Sequence, residues 1–163
     1  MRAWERTDSG VEARLEEPEA AMLENLAGQL KQLHRAAAAD MLDFADPAVK
    51  RLFPDAYDDP EDAAEFRRLV LPQSAQRRER SQDAVIVGLV TADRVDGQRV
   101  VRVDRSEIDD WLRAVGDMRL VLSTRVATGA QAPESDFSHD DLQQFAAVVD
   151  WLGFVQATLL ETM

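Results

Sequence analysis

The sequence predicts an α+β fold, predominantly helical, in which about five helices carry a small antiparallel sheet containing an N-terminal hairpin. Three observations lead there. Apolar residues recur at three- and four-residue spacing through most of the chain, which is the period of one helix face. Strict alternation, the period of a strand, is confined to one stretch near the start and another near residue 100. The length of 163 residues suits a single domain with its own core, divided into a hairpin over 2–16 and a helical body over 18–163.

The turn residues Asp8-Ser9-Gly10 precede Val11, Ala13 and Leu15 on one side and Glu12, Arg14 and Glu16 on the other, which predicts a hairpin. Pro18 then opens a helix reaching about Asp40, with Met22, Leu23, Leu26, Leu30, Leu33 and Ala37 on one face and Gly28 as a mild weakness. Leu52, Phe53 and Tyr57 surround Pro54 in a loop pinned to the core. Asp59-Pro60-Glu61-Asp62 is a helix start: an acidic cap for free N–H groups, a proline whose missing N–H costs nothing there, and acids facing the positive dipole end. This helix should bury Ala63, Phe66 and Leu69 or Val70, and Pro72 should stop or kink it.

A further helix is predicted from Gln73. Its second half, Ala84 to Val90, is rich in β-branched residues, so a strand is the alternative there. Asp96-Gly97 marks a turn before a short strand over 98–103, the third of the sheet. Asp104 and Glu107 have capping-box spacing and introduce a helix with Ile108, Trp111, Leu112, Val115, Met118 and Leu122 on one stripe, ending near Ala127. A polar loop over 128–137 carries Gly129 and Pro133, and Ser138 with Asp141 repeats the capping spacing for the last helix. From Leu142 to Leu160 apolar residues run all round that helix, with Asp150 its one charge. Such a helix wants burial on several sides, either as a central core helix or as a face shared with a partner or a second copy. Gln143, Gln144, Asp150 and Gln156 argue against a membrane span.

Composition excludes more than it identifies. There is no cysteine, which removes disulfides, thiolate ligands and thiol nucleophiles. The start of the chain is charged and lacks the apolar core of a secretory signal, so a cytoplasmic location is expected. With 31 acids against 19 bases the net charge is −12, a field that repels nucleic acid and anionic lipid. No Lys or Arg follows Arg125, whereas Glu134, Asp136, Asp140, Asp141, Asp150 and Glu161 do, so a basic protein partner would be steered toward this end.

Against that background stands one basic cluster, Arg67, Arg68, Arg77, Arg78 and Arg80, suited to salt bridges with neighbouring acids or a partner, and less to nucleic acid. His34 lies near the end of the first helix, where a surface or capping role at the negative dipole end is expected. His139-Asp140-Asp141, with Asp136 nearby, is the one cluster that could coordinate a divalent ion, but acids at a helix start are ordinary dipole partners. The acid pairs Asp58-Asp59 and Asp109-Asp110 have the same electrostatic explanation. No phosphate-cradling glycine loop, GxSxG elbow or HExxH is present. No cofactor and no metal is therefore assigned.

The segments RAWER at Arg2, LENLAGQL at Leu23, RLFPDAY at Arg51, AEFRRL at Ala64, WLRAVGDMRLVLSTR at Trp111 and DWLGFVQATLLE at Asp150 resemble, in this order, the actinobacterial domain-of-unknown-function 2017 family. One branch of that family is similar to an actinomycete oxidative-stress-responsive transcriptional regulator, associated with a cysteine-pair redox switch and an alternative sigma factor. This chain departs from that branch, because without cysteine it has no positions for the switch. The resemblance implies a non-enzymatic regulatory or adaptor protein, working through a protein partner such as a sigma factor or RNA polymerase, or as a homodimer. The contact residues expected are Arg51, Phe53, Asp55, Tyr57, Arg67, Arg68, Arg77, Arg78 and Trp151. A metal-dependent hydrolase and a direct DNA-binding regulator are the alternatives.

Overall fold

The computed structural model describes residues 1–131 and 138–163. In chain order the elements are β1 (Glu5–Arg6), β2 (Gly10–Glu16), α1 (Glu17–Ala38), α2 (Pro47–Leu52), α3 (Pro60–Val90), β3 (Asp93–Val95), β4 (Gln98–Asp104), α4 (Ile108–Gln131) and α5 (His139–Leu160). This is the mainly helical α+β arrangement that the periodicity predicts.

The sheet has four antiparallel strands in the order β1-β2-β4-β3, one more than expected. Its centre is the β2–β4 pair, in register from Gly10 opposite Asp104 to Glu16 opposite Gln98. Val11, Ala13 and Leu15 are all buried on the inner face, as their alternation requires. The added strand comes from the Asp96-Gly97 turn, where φ is 51° and 78°. Positive φ at both central residues is the hairpin turn whose twist matches the strands, so Asp93–Val95 folds back on β4. At Gly10 a Cβ would lie 2.0 Å from the Val103 carbonyl oxygen, so close approach of the two chains demands glycine.

Beneath the sheet, α1, α3 and α4 pack together around Leu23, Leu30, Leu71, Val85, Leu89, Trp111, Val115 and Met118. Trp4 closes the top, edge-on to Trp111 at 5.4 Å. The capping expectations hold where a side chain can reach. Asp59 accepts from the N–H groups of Glu61 and Asp62 at 2.9 and 3.1 Å, and Ser138 accepts from Asp141 at 3.2 Å.

Several expectations are corrected. Pro72 does not end its helix: α3 is a continuous 31-residue helix, and over Ala84 to Val90 the predicted helix is found and not the alternative strand. Leu52, expected in a loop, is the last residue of helix α2, which is capped by Asp46. Asp104 ends β4 instead of capping a helix. A turn follows in which the Glu107 N–H donates to the Asp104 carbonyl, and α4 starts at Ile108 and continues past Ala127 to Gln131. The last helix is not central. Among the described residues α4 is its one extensive neighbour, so Leu152, Val155 and Leu159 are buried while Phe154 and Leu160 stay exposed. Glu134, Asp136 and the Pro133 portion of the expected loop lie outside the described residues.

Candidate interaction surfaces

The arginine cluster all sits on α3, and the helix splits it. Arg67 and Arg78, three turns apart, point to the same side, where each lies over an aromatic ring: Phe44 at 4.9 Å and Phe53 at 5.6 Å. Arg67 also pairs with Asp55 at 2.9 Å, and Arg78 with Asp117 of α4. Arg68, Arg77 and Arg80 point to solvent. Arg68 comes no nearer than 3.9 Å to Glu65, and Arg77 and Arg80 make no ion pair among the described residues.

The loop before α3 is divided in the same way. Phe53 is buried and belongs to the core, so it offers nothing to a partner. Arg51 reaches Thr124 at 3.3 Å. Tyr57 is 53% exposed and stands edge-on to Phe66 at 5.7 Å. Trp151 on α5 is half-buried, and its Nε1 makes no hydrogen bond among the described residues.

His34 corrects the sequence expectation most sharply. It is fully buried rather than on the surface, because it continues the stripe Leu23, Ala27, Leu30, His34, Ala37 that faces α3 and α4. Its ring is edge-on to Phe53 at 5.9 Å, and Nε2 is 3.4 Å from Asp117 Oδ2, a contact too long to form a hydrogen bond. Asp117 thus stands between an imidazole and the Arg78 guanidinium. One turn away, the Ser81 hydroxyl donates to Asp110 at 2.7 Å, and Arg113 reaches both at 2.9 and 3.1 Å. These polar groups tie α1, α3 and α4 together below the surface.

Arg99 and Arg125 form further ion pairs at the periphery. Arg99 of β4, almost wholly buried, donates to Glu17 at 2.6 Å, to Glu24 at 3.0 Å and to the Leu89 carbonyl at 3.3 Å. The hydrogen bond from Arg99 lowers the Glu17 pKa, and those to Glu17 and Glu24 raise that of Arg99. Arg125 forks onto Asp46 at 3.0 and 2.6 Å. Burial pushes the Asp46 carboxyl up, but the Arg125 bond and the Ala48 and Val49 N–H groups outweigh it and hold the pKa below the usual value.

Of the proposed metal cluster, the Asp141 carboxylate accepts from the Ser138 hydroxyl at 2.7 Å and N–H at 2.9 Å, which lowers its pKa. Among the described residues no group of three or more metal-binding side chains converges. No helix among them is long and apolar enough to cross a membrane.

Sequence reasoning did not find the groove between α1, α4 and α5. It encloses about 660 Å³ and is walled by Met22, Leu26, Leu33, Leu122, Phe145 and Val148, with Asn25, Gln29 and Gln144 at its rim and Arg125 at one end. It exists because α5 leans on α4 without closing onto α1.

A fold of this kind, helices α1, α3 and α4 under a small sheet with α5 outside, extends over the length covered by one family model. That model, domain of unknown function DUF2017, matches residues 1–163. The chain belongs to the DUF2017 family. No curated protein and no solved structure matches it.

Proposed function

We propose that this DUF2017 protein is a non-enzymatic regulatory adaptor that holds a segment of a protein partner in the groove between α1, α4 and α5. The observation that carries the reading is the groove itself: an open, apolar channel of about 660 Å³ with amide groups along its edge. Such a channel suits an amphipathic helix laid in with its apolar face down. The acids of α5, Asp140, Asp141 and Asp150, lie on the same helix as one wall and favour a partner with basic residues flanking its apolar stripe. The family resemblance makes the transcription apparatus, a sigma factor or RNA polymerase, the first partner to try. Direct DNA binding is disfavoured by the net charge of −12, and of the arginine cluster Arg67 and Arg78 are already paired with Asp55 and Asp117.

The test is retention of purified RNA polymerase, core and sigma-loaded, on the immobilised protein. Met22→Glu places a charge in the groove at a half-buried position, and it should abolish retention while leaving the unfolding midpoint close to that of the parent. Equal retention by parent and variant would remove the groove from the reading. No retention by the parent would remove this partner.

A further inference from the structure

We infer that the outer face of α3 is a self-association surface, on which a second copy of this chain docks with its own α3 antiparallel. The inference rests on α3 alone and stands independently of the groove. With 31 residues, α3 is about 46 Å long. Its inner side packs on α1 and α4. Its outer side carries Asp62, Leu69, Gln73, Gln76, Arg80 and Val87, all exposed and spaced by three, four or seven residues, so they form one continuous stripe.

Three properties of that stripe point to a second copy. Near the middle Leu69 is 63% and Val70 41% exposed, beside the uncharged Gln73 and Gln76, whereas Leu71 on the opposite side is buried. The ends carry opposite charge: Glu61, Asp62 and Glu65 lie N-terminal to Leu69, and Arg77 and Arg80 lie C-terminal to it. Those charges are also uncommitted. Glu61, Asp62, Arg77 and Arg80 make no ion pair among the described residues, whereas Glu65 and Arg68 lie 3.9 Å from each other and Arg67, Arg78, Glu79 and Asp83 each pair outside α3.

Geometry selects the antiparallel arrangement. Asp62 and Arg80 stand equally far, about 14 Å, on either side of the level of Leu71. A two-fold axis at that level sets Asp62 of each copy opposite Arg80 of the other, with the two Leu69 side chains within about 6 Å along the helices. A parallel pairing would oppose Asp62 to Asp62 and Arg80 to Arg80. The surface is therefore complementary to itself under one rotation only, which is the condition for a closed isologous dimer. On a molecule of net charge −12, two copies repel at long range, so association needs a face where bases lie opposite acids.

The experiment is sedimentation velocity on the full chain from about 1 μM to about 1 mM, the range in which weak dimers reveal themselves. The parent should sediment as a dimer at the upper end. Asp62→Arg and Arg80→Asp should each raise the dissociation constant at least about tenfold, since each opposes like charges twice per dimer. An equimolar mixture of the two variants should recover the dimer, because each supplies the charge the other lacks, and Leu69→Asp should abolish it. All are exposed positions, and circular dichroism verifies that each variant is folded. A parent that stays monomeric throughout would overturn the inference. So would a dimer indifferent to both reversals, or a mixture that fails to recover.

Discussion

At the residue scale the most consequential position is Asp117, whose carboxylate is 5% exposed and faces both Arg78 and His34. Asp117→Ala should cost about 3 kcal/mol in urea unfolding, because removing one member of a buried pair leaves the other charge without compensation. A loss under about 1 kcal/mol would mean that Arg78 simply turns out to water. Asp46 allows a test with a pH axis, since it caps α2 through the Ala48 N–H at 2.8 Å and holds Arg125 in a fork. Its folded pKa lies below the ordinary value of 3.8, so its contribution is present above that value and is lost as pH falls through the lower folded one. The stability gap between the parent and Asp46→Asn should be constant from neutral pH down to about 4 and close below it. A gap unchanged at pH 2.5 would assign Asp46 a purely hydrogen-bonding role.

At the element scale, the helices with written starts were legible in the sequence. Asp59-Pro60 and Ser138 with Asp141 cap as their residue types demand, and Asp96-Gly97 turns as its dipeptide demands. The short helix α2 could have been found too, because Asp46-Pro47 repeats the Asp59-Pro60 signature. Other features had no local signal. Asp117, Arg78 and His34 are on three different helices, and the groove depends on the angle at which α5 leans, so both exist only after packing. Pro72 misled for a physical reason: local rules price its missing N–H and its clash with the carbonyl four residues back, but not the burial of Leu71 and Ala75 on either side, which holds α3 together across it. That argument makes a prediction. Pro72→Ala restores a helical N–H and should stabilise the protein by about 1–2 kcal/mol, part of the roughly 3 kcal/mol by which proline disfavours a helix interior. A destabilised variant would show instead that a bend at Pro72 is needed to fit α3 against α1.

At the scale of the whole molecule, the question is whether attraction within ion pairs or repulsion among unpaired acids governs the response to salt. In the pairs of Arg99 with Glu17 and Glu24 and of Arg78 with Asp117 one partner is buried, so they lose less to screening than pairs exposed on both sides. The excess of acids is spread over the surface, from the run between Asp55 and Glu65 to the stretch after Arg125, neither of which holds a Lys or Arg, so it feels added salt fully. Raising NaCl from about 0.01 M to about 0.15 M shortens the Debye length from about 30 Å to about 8 Å. Repulsion should therefore fall by more than attraction, and the melting temperature should rise by about 3 °C, the shift that roughly 1 kcal/mol produces in a chain of this size. Asp150→Lys, at an exposed position on α5, should reproduce part of the rise at low salt and add almost nothing at high salt. A melting temperature that falls as salt is added would mean that exposed pairs such as Arg102 with Glu12 and Asp93 outweigh the surplus negative charge.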